Sequence, residues 1–165
     1  IILSTGMATM DEINHAVNTL QKSGCTNFSL LHCTSAYPTP IQECNLAAIK
    51  TISDAFKCNV GWSDHSVSPA VIYRAIHQWG AKIIEFHLDL EGEGAEYKSG
   101  HCWLPQEIKQ VISDVSAGFS SDGDGKKFPS SSESKDREWR ADPSDGLRPL
   151  KATRLAISKR SQDLM

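Results

Sequence analysis

Two short apolar runs in this chain end in residues that can do chemistry. VGWSDHS, residues 60–66, closes on Ser63, Asp64 and His65, and IIEFHLDL, residues 83–90, carries Glu85, His87 and Asp89. Side chains alternate along a strand, so Ser63 and His65 share one face, as do Glu85, His87 and Asp89. On neighbouring parallel strands, His65 and His87 converge at the carboxyl end. Two neutral imidazoles with oxygen donors nearby suit Mn2+, Zn2+ or a similar divalent ion, whose open positions can take and polarise substrate oxygens. One late-strand histidine is more often a hydrogen-bonded core residue. Two on adjacent strands, each among acids and hydroxyls, favour the metal reading.

The elements that must position them follow from periodicity. IILSTGM (1–7), NFSLLHCTSAY (27–37), NVGWSDHS (59–66) and KIIEFHLDL (82–90) are short, apolar and bounded by turn residues, as buried strands are. Helical patterns lie between them. In the first, Ile13, Ala16, Val17 and Leu20 recur at helical spacing behind a Thr9–Glu12 capping box, with Gly24 as the stop. The second spans about 43–57 and the third runs from the Ser68 cap through Pro69 to Trp79, while the fourth starts near Pro105.

Strand and helix alternating in this way mean α/β, with a parallel sheet. The first strand-to-helix turn, STGMATMDE, lacks the Gly-x-Gly-x-x-Gly fingerprint of a dinucleotide site. Polar residues close every strand, which is where a β/α barrel keeps its active site. A complete barrel needs about 250 residues and eight such units, and four are legible. The chain also starts inside a strand with no initiator Met, so the expectation is part of a barrel over residues 1–118, from a longer protein. Residues 119–165 are rich in Ser, Asp, Gly and Pro and read as an irregular arm ending in a short helix.

Charge divides along the same line. Residues 1–125 hold seven Lys and Arg against fourteen Asp and Glu, whereas residues 126–165 hold ten against six. The formal net charge of −3 gives no reason to expect a nucleic-acid partner. No apolar run reaches the roughly 20 residues of a membrane span. Five cysteines, without a C-x-x-C pair, read as reduced thiols in a cytoplasmic protein.

IILSTGM, LLHCTSAYPTP, VGWSDHS and IIEFHLDL, in this order and at these intervals, closely resemble the sialic acid synthase family. The resemblance implies that the four runs are about strands five to eight, the carboxyl-terminal half of a TIM-type (β/α)8 barrel. It implies a synthase (a transferase) that condenses phosphoenolpyruvate with an N-acylated amino sugar and releases phosphate. A divalent metal, Mn2+ or Mg2+, would hold the sugar's aldehyde oxygen. Carried over residue by residue, His65 and His87 match the metal histidines, which are also the catalytic candidates. Ser63 and Ser4 match serines that contact phosphoenolpyruvate, Ser35 a hydrogen-bond donor, and Tyr37 a tyrosine near the substrates. Glu96 stands approximately where relatives use an acid to contact sugar hydroxyls. His101 lies further on and is assigned no role, and His32 reads as structural.

Relatives place a Lys and a catalytic Glu on the first strands, outside this chain, so the isolated chain is expected to be inactive and prone to associate. Many carry a further domain that supplies an Arg to a partner subunit, which makes a homodimer an expectation. Two other readings stand beside the synthase. One is a two-histidine metal-dependent barrel isomerase or hydrolase. The other is a non-catalytic half-barrel that binds a ligand or pairs with a partner.

Overall fold

A computed structural model describes residues 1–162. The chain divides into two compact units, Ile1–Ser121 and a second that begins at Asp122. The first is built on five parallel strands, β1 (Ile2–Ser4), β2 (Ser29–Cys33), β3 (Asn59–Asp64), β4 (Ile84–Leu88) and β5 (Cys102–Trp103). Their order in the sheet is the order in the chain, β1-β2-β3-β4-β5. An open doubly wound sheet reverses its strand order at a switch point, where ligands bind. Here every strand is added on the same side of the last, which is the winding of a barrel.

Helices cover one face. In α1 (Met10–Lys22) the Thr9 side chain and Glu12 cap each other's backbone as the sequence predicts, and Ile13 and Val17 are buried. The second helical segment opens as a 3-10 turn (Ile41–Glu43) and becomes α2 only at Ala48–Phe56. The break is at Asn45, whose φ of 42° lies in the left-handed region and cannot continue a helix. α3 (Pro69–Tyr73) widens into a π turn, Arg74–Gln78, before stopping at Gly80. Leu30, Val60 and Trp62 from the sheet pack against Val17, Ile49, Ile52 and Val71 from these helices. A second cluster joins Ile72 and Trp103 to Ile108 and Val111 of α5 (Pro105–Ser121).

β5 and the single-turn α4 (Ala95–Lys98) lie between β4 and α5, where the sequence shows no periodic run. α5 continues through Gly118 to Ser121, three residues past the boundary expected at 118. In the second unit, 3-10 turns at Ser131–Glu133 and Arg137–Trp139 precede α6 (Lys151–Gln162). Asp142 ties this unit together by accepting from Ser144 and from the Lys151 amide. These hydrogen bonds hold its carboxyl down at about 2.

The other face of the sheet carries the polar residues. β3 shows how the two faces are sorted: Val60 and Trp62 enter the helix-side core, while Gly61 and Ser63 point the other way. Gly61 has no room for a side chain. A Cβ there would lie 2.3 Å from the Ile83 carbonyl oxygen and 2.6 Å from Leu31 Cδ2.

Candidate metal and substrate site

Four aromatic rings meet beyond the carboxyl ends of β2, β3 and β4. The His65 and His87 ring centroids are 5.2 Å apart, and His87 and His101 are 5.1 Å apart. Tyr37 lies 4.3 Å from His65, 5.9 Å from His87 and 5.1 Å from His101.

The loop that carries Tyr37 is fastened to His65 from both sides. The Thr39 amide donates to the His65 carbonyl at 2.9 Å, and Thr39 Oγ1 donates to the Thr34 and Ala36 carbonyls. His65 Nδ1 is 2.9 Å from the Thr34 carbonyl oxygen. A carbonyl can only accept, so Nδ1 carries the proton and Nε2 keeps its lone pair. His65 is buried, 4% exposed, so that lone pair is held in a fixed place.

His101 is set in the same way. Ser99 Oγ donates to the Glu96 carbonyl at 2.8 Å, so it accepts from His101 Nδ1 at 2.9 Å. Nε2 of His101 is again the free nitrogen, 4.0 Å from Glu96 Oε2. Burial, then the neighbouring His87, hold the His101 imidazole below the ordinary histidine range against the opposing pull of Glu96. It is therefore neutral at pH 7, the form that binds metals. His87 Nδ1 is 3.3 Å from Glu96 Oε2, to which it donates.

Asp89 shapes the loop that presents Glu96. Its carboxylate accepts from the amides of Glu91, Gly92 and Gly94, which stabilise the charged form and hold the carboxyl below the ordinary Asp range. Cys102, opposite His87 in the β4–β5 register, completes a group of four. One ligand atom from each of His87, Glu96, His101 and Cys102 lies within 4.8 Å of every other. Such a set of nitrogen, oxygen and sulfur donors fits a divalent transition metal.

Asp64 is the hidden half of this arrangement. It is fully buried on the helix side and accepts from the Trp62 and Trp103 indoles, each at 3.0 Å, as well as from Ser66 and the Val67 amide. It fixes the turn that follows His65, where Val67 has a φ of 50°, an unusual conformation for a β-branched residue. Through Trp103 it also fixes β5.

The expected substrate residues are spread along the sheet. Ser63 is buried and donates to Glu85 at 2.7 Å on the face that carries His65. Ser35 Oγ lies 3.3 Å from where a Cβ on Gly6 would stand. Ser4, on exposed β1, has its hydroxyl 3.1 Å from Cys33 Sγ. Three strand spacings, roughly 14 Å, separate β1 from β4. Neither Ser4 nor Ser35 hydrogen bonds to Tyr37, His65, His87 or His101. His32 hydrogen bonds the Cys44 carbonyl at 3.0 Å on the helix side. His101 and Cys102, to which the sequence assigns no role, also lie at the cluster.

The sequence profile of the NeuB family matches residues 1–127. The chain belongs to the NeuB family. It is 42% identical over 139 residues to an N,N'-diacetyllegionaminic acid synthase of Campylobacter jejuni, covering 82% of this chain and 41% of that protein. It is 34% identical over 119 residues to an N-acetylneuraminate-9-phosphate synthase of Drosophila melanogaster, covering 70% of this chain and 31% of that one. Among solved structures it is similar to an N-acetylneuraminic acid synthetase of Leptospira borgpetersenii. The TM-score is 0.66 at 32% identity, over 87% of this chain and 50% of that one.

This NeuB chain thus spans half or less of the relatives it matches, and its parallel sheet is part of a barrel. The synthases among its relatives act on small molecules. No helix among the described residues is long and apolar enough to cross a membrane.

Proposed function

We propose that this chain supplies the carboxyl-terminal half of the barrel of a nonulosonic acid synthase, which joins phosphoenolpyruvate to an N-acylated amino sugar. The observation that carries the reading is the convergence of Tyr37, His65 and His87, with the free Nε2 of His65 held by Thr34. In the reaction, the methylene carbon of phosphoenolpyruvate bonds to the aldehyde carbon of the open-chain sugar. Water adds at the neighbouring carbon, the bond from that carbon to the phosphate oxygen breaks, and a 2-keto acid and phosphate leave. The aldehyde oxygen ends as a hydroxyl.

His65 and His87 would hold a divalent cation, Mn2+ or Mg2+, which supplies Lewis-acid polarisation at the aldehyde. Glu96 orients His87 by accepting from Nδ1, which leaves Nε2 for the cation. Glu96, whose carboxylate is exposed beside His87, would also receive a sugar hydroxyl. Ser35 and Ser4 would offer hydroxyls to the carboxylate and phosphate of phosphoenolpyruvate, and Ser63 would do so once its proton turns from Glu85 to the ligand. Tyr37 packs its ring against the imidazoles of His65, His87 and His101.

The working enzyme is a closed barrel. Among the described residues β1 pairs with a strand on one side only, and Ile1, just before it, and Ile2, its first residue, are 62% and 60% exposed. An apolar, half-paired edge of this kind calls for another strand. Phosphate release should be measured for the chain alone and for the chain fused behind the first barrel strands of a NeuB relative. The chain alone should be silent. The fusion should release phosphate only with both substrates and a divalent cation, and His87→Ala should lower the rate at least about a thousandfold. Turnover without phosphoenolpyruvate would favour the isomerase or hydrolase reading instead.

A further inference from the structure

We propose that His87, Glu96, His101 and Cys102 form a closed Zn2+ site that competes for His87 with the cation of the synthase reaction, so that zinc switches the site off. The proposal rests on the metal reading above for its inhibitory consequence, though the four-donor site stands on its own geometry.

His87 of β4, His101 just before β5 and Cys102 of β5 surround one carboxylate oxygen of Glu96 on α4. Glu96 Oε2 is 3.3 Å from His87 Nδ1, 4.0 Å from His101 Nε2 and 3.9 Å from Cys102 Sγ. Tetrahedral zinc, with bonds of about 2.0–2.3 Å, sets its ligands roughly 3.3–3.8 Å apart. The group needs only to tighten around an ion. Its supports are in place: Ser99 directs His101 Nε2 inward, the β4–β5 register sets Cys102 beside His87, and Trp103 is anchored on Asp64. Cys102 is only 4% exposed, and its sulfur faces the Glu96 carboxylate at 3.9 Å.

The donor set decides the metal. Thiolate sulfur selects zinc and its soft neighbours over Mg2+, which takes oxygen ligands. Four protein donors leave no open position for a substrate, as in structural rather than catalytic zinc sites. Exclusion follows from His87 alone. A neutral imidazole has one lone pair. In the synthase arrangement Nδ1–H faces Glu96 and Nε2 serves the cation with His65. Zinc on Nδ1 moves that proton to Nε2, which can then ligate nothing. The Cys102 thiol proton is released to solvent as zinc binds.

The metal-stripped 165-residue chain is the material for the test. Co2+ in place of zinc should give a thiolate-to-metal charge-transfer band and the strong visible absorption of a tetrahedral site. Mn2+ bound to the chain should reappear as the free-ion electron paramagnetic resonance signal when one equivalent of Zn2+ is added. In Cys102→Ser the charge-transfer band should vanish. In Cys102→Ser and in His101→Gln, displacing Mn2+ should take at least about 100-fold more Zn2+, with Mn2+ affinity unchanged. Circular dichroism confirms that the variants are folded.

A wild-type Co2+ spectrum without the thiolate band overturns the site. So does unchanged zinc affinity in both variants. Zinc and Mn2+ bound together overturns the competition. If the chain binds zinc as described but never binds Mn2+, the synthase metal reading fails and the zinc site stands. If Mn2+ binds through His65 and His87 without any thiolate band, the reverse holds.

Discussion

The Trp103 indole donates to the Asp64 carboxylate at 3.0 Å, across 39 residues of sequence, and so ties a two-residue strand to the motif that carries His65. Asp64 also holds the Trp62 indole and the turn after His65. Removing the carboxylate strands several buried N–H groups at once. Asp64→Ala should cost about 3–5 kcal/mol. Trp103→Phe keeps most of the ring but loses one charge-assisted bond, about 1.5–3 kcal/mol. The double variant should cost less than the sum of the two, which urea unfolding of all four proteins measures.

Gly61 tests the packing of β3 against its neighbours. Gly61→Ala would press a methyl into the Ile83 backbone carbonyl, which cannot step aside as a side-chain end can. The strand must move, at about 1–3 kcal/mol. His65, four residues on, moves with it, so metal affinity should fall alongside the melting temperature.

Thiol chemistry gives a pH-dependent prediction. Burial, then the charge of Asp64, push the Cys44 thiol up to about 11. The thiolate is the reactive form, so at pH 8 only about one Cys44 in a thousand can react. Cys25, which is half-exposed, should be alkylated first. Labelling of Cys44 should rise about tenfold for each pH unit until the pH approaches 11, as mass spectrometry of iodoacetamide-treated protein can follow. Rapid labelling of Cys44 in folded protein at pH 8 would contradict its burial.

The sequence announces those parts of the site that repetition writes out. β1 to β4 are apolar runs closed by polar residues, and His65 and His87 stand out because two strands end alike. The Thr9–Glu12 cap is equally plain. β5 is not, because Cys102 and Trp103 are too few to show alternation and owe their strand geometry to Asp64. His101 and Cys102 therefore escape notice, although a Cys between a His and a Trp after Gly100 is the available signal. The late start of α2 is hidden for a similar reason: Asn45 turns left-handed in the folded chain, and its residue type alone does not demand that. Ser4 and Ser35 follow from family resemblance, and whether they meet one ligand depends on strands that complete the barrel.

The condensation chemistry is tested most directly with phosphoenolpyruvate labelled with 18O at the oxygen bridging carbon and phosphorus, turned over by the closed barrel with an N-acylated amino sugar. Water attack on carbon predicts that all of the label leaves in phosphate and that none stays in the sugar acid. Label retained in a keto acid would mean phosphorus–oxygen cleavage, and would contradict the account.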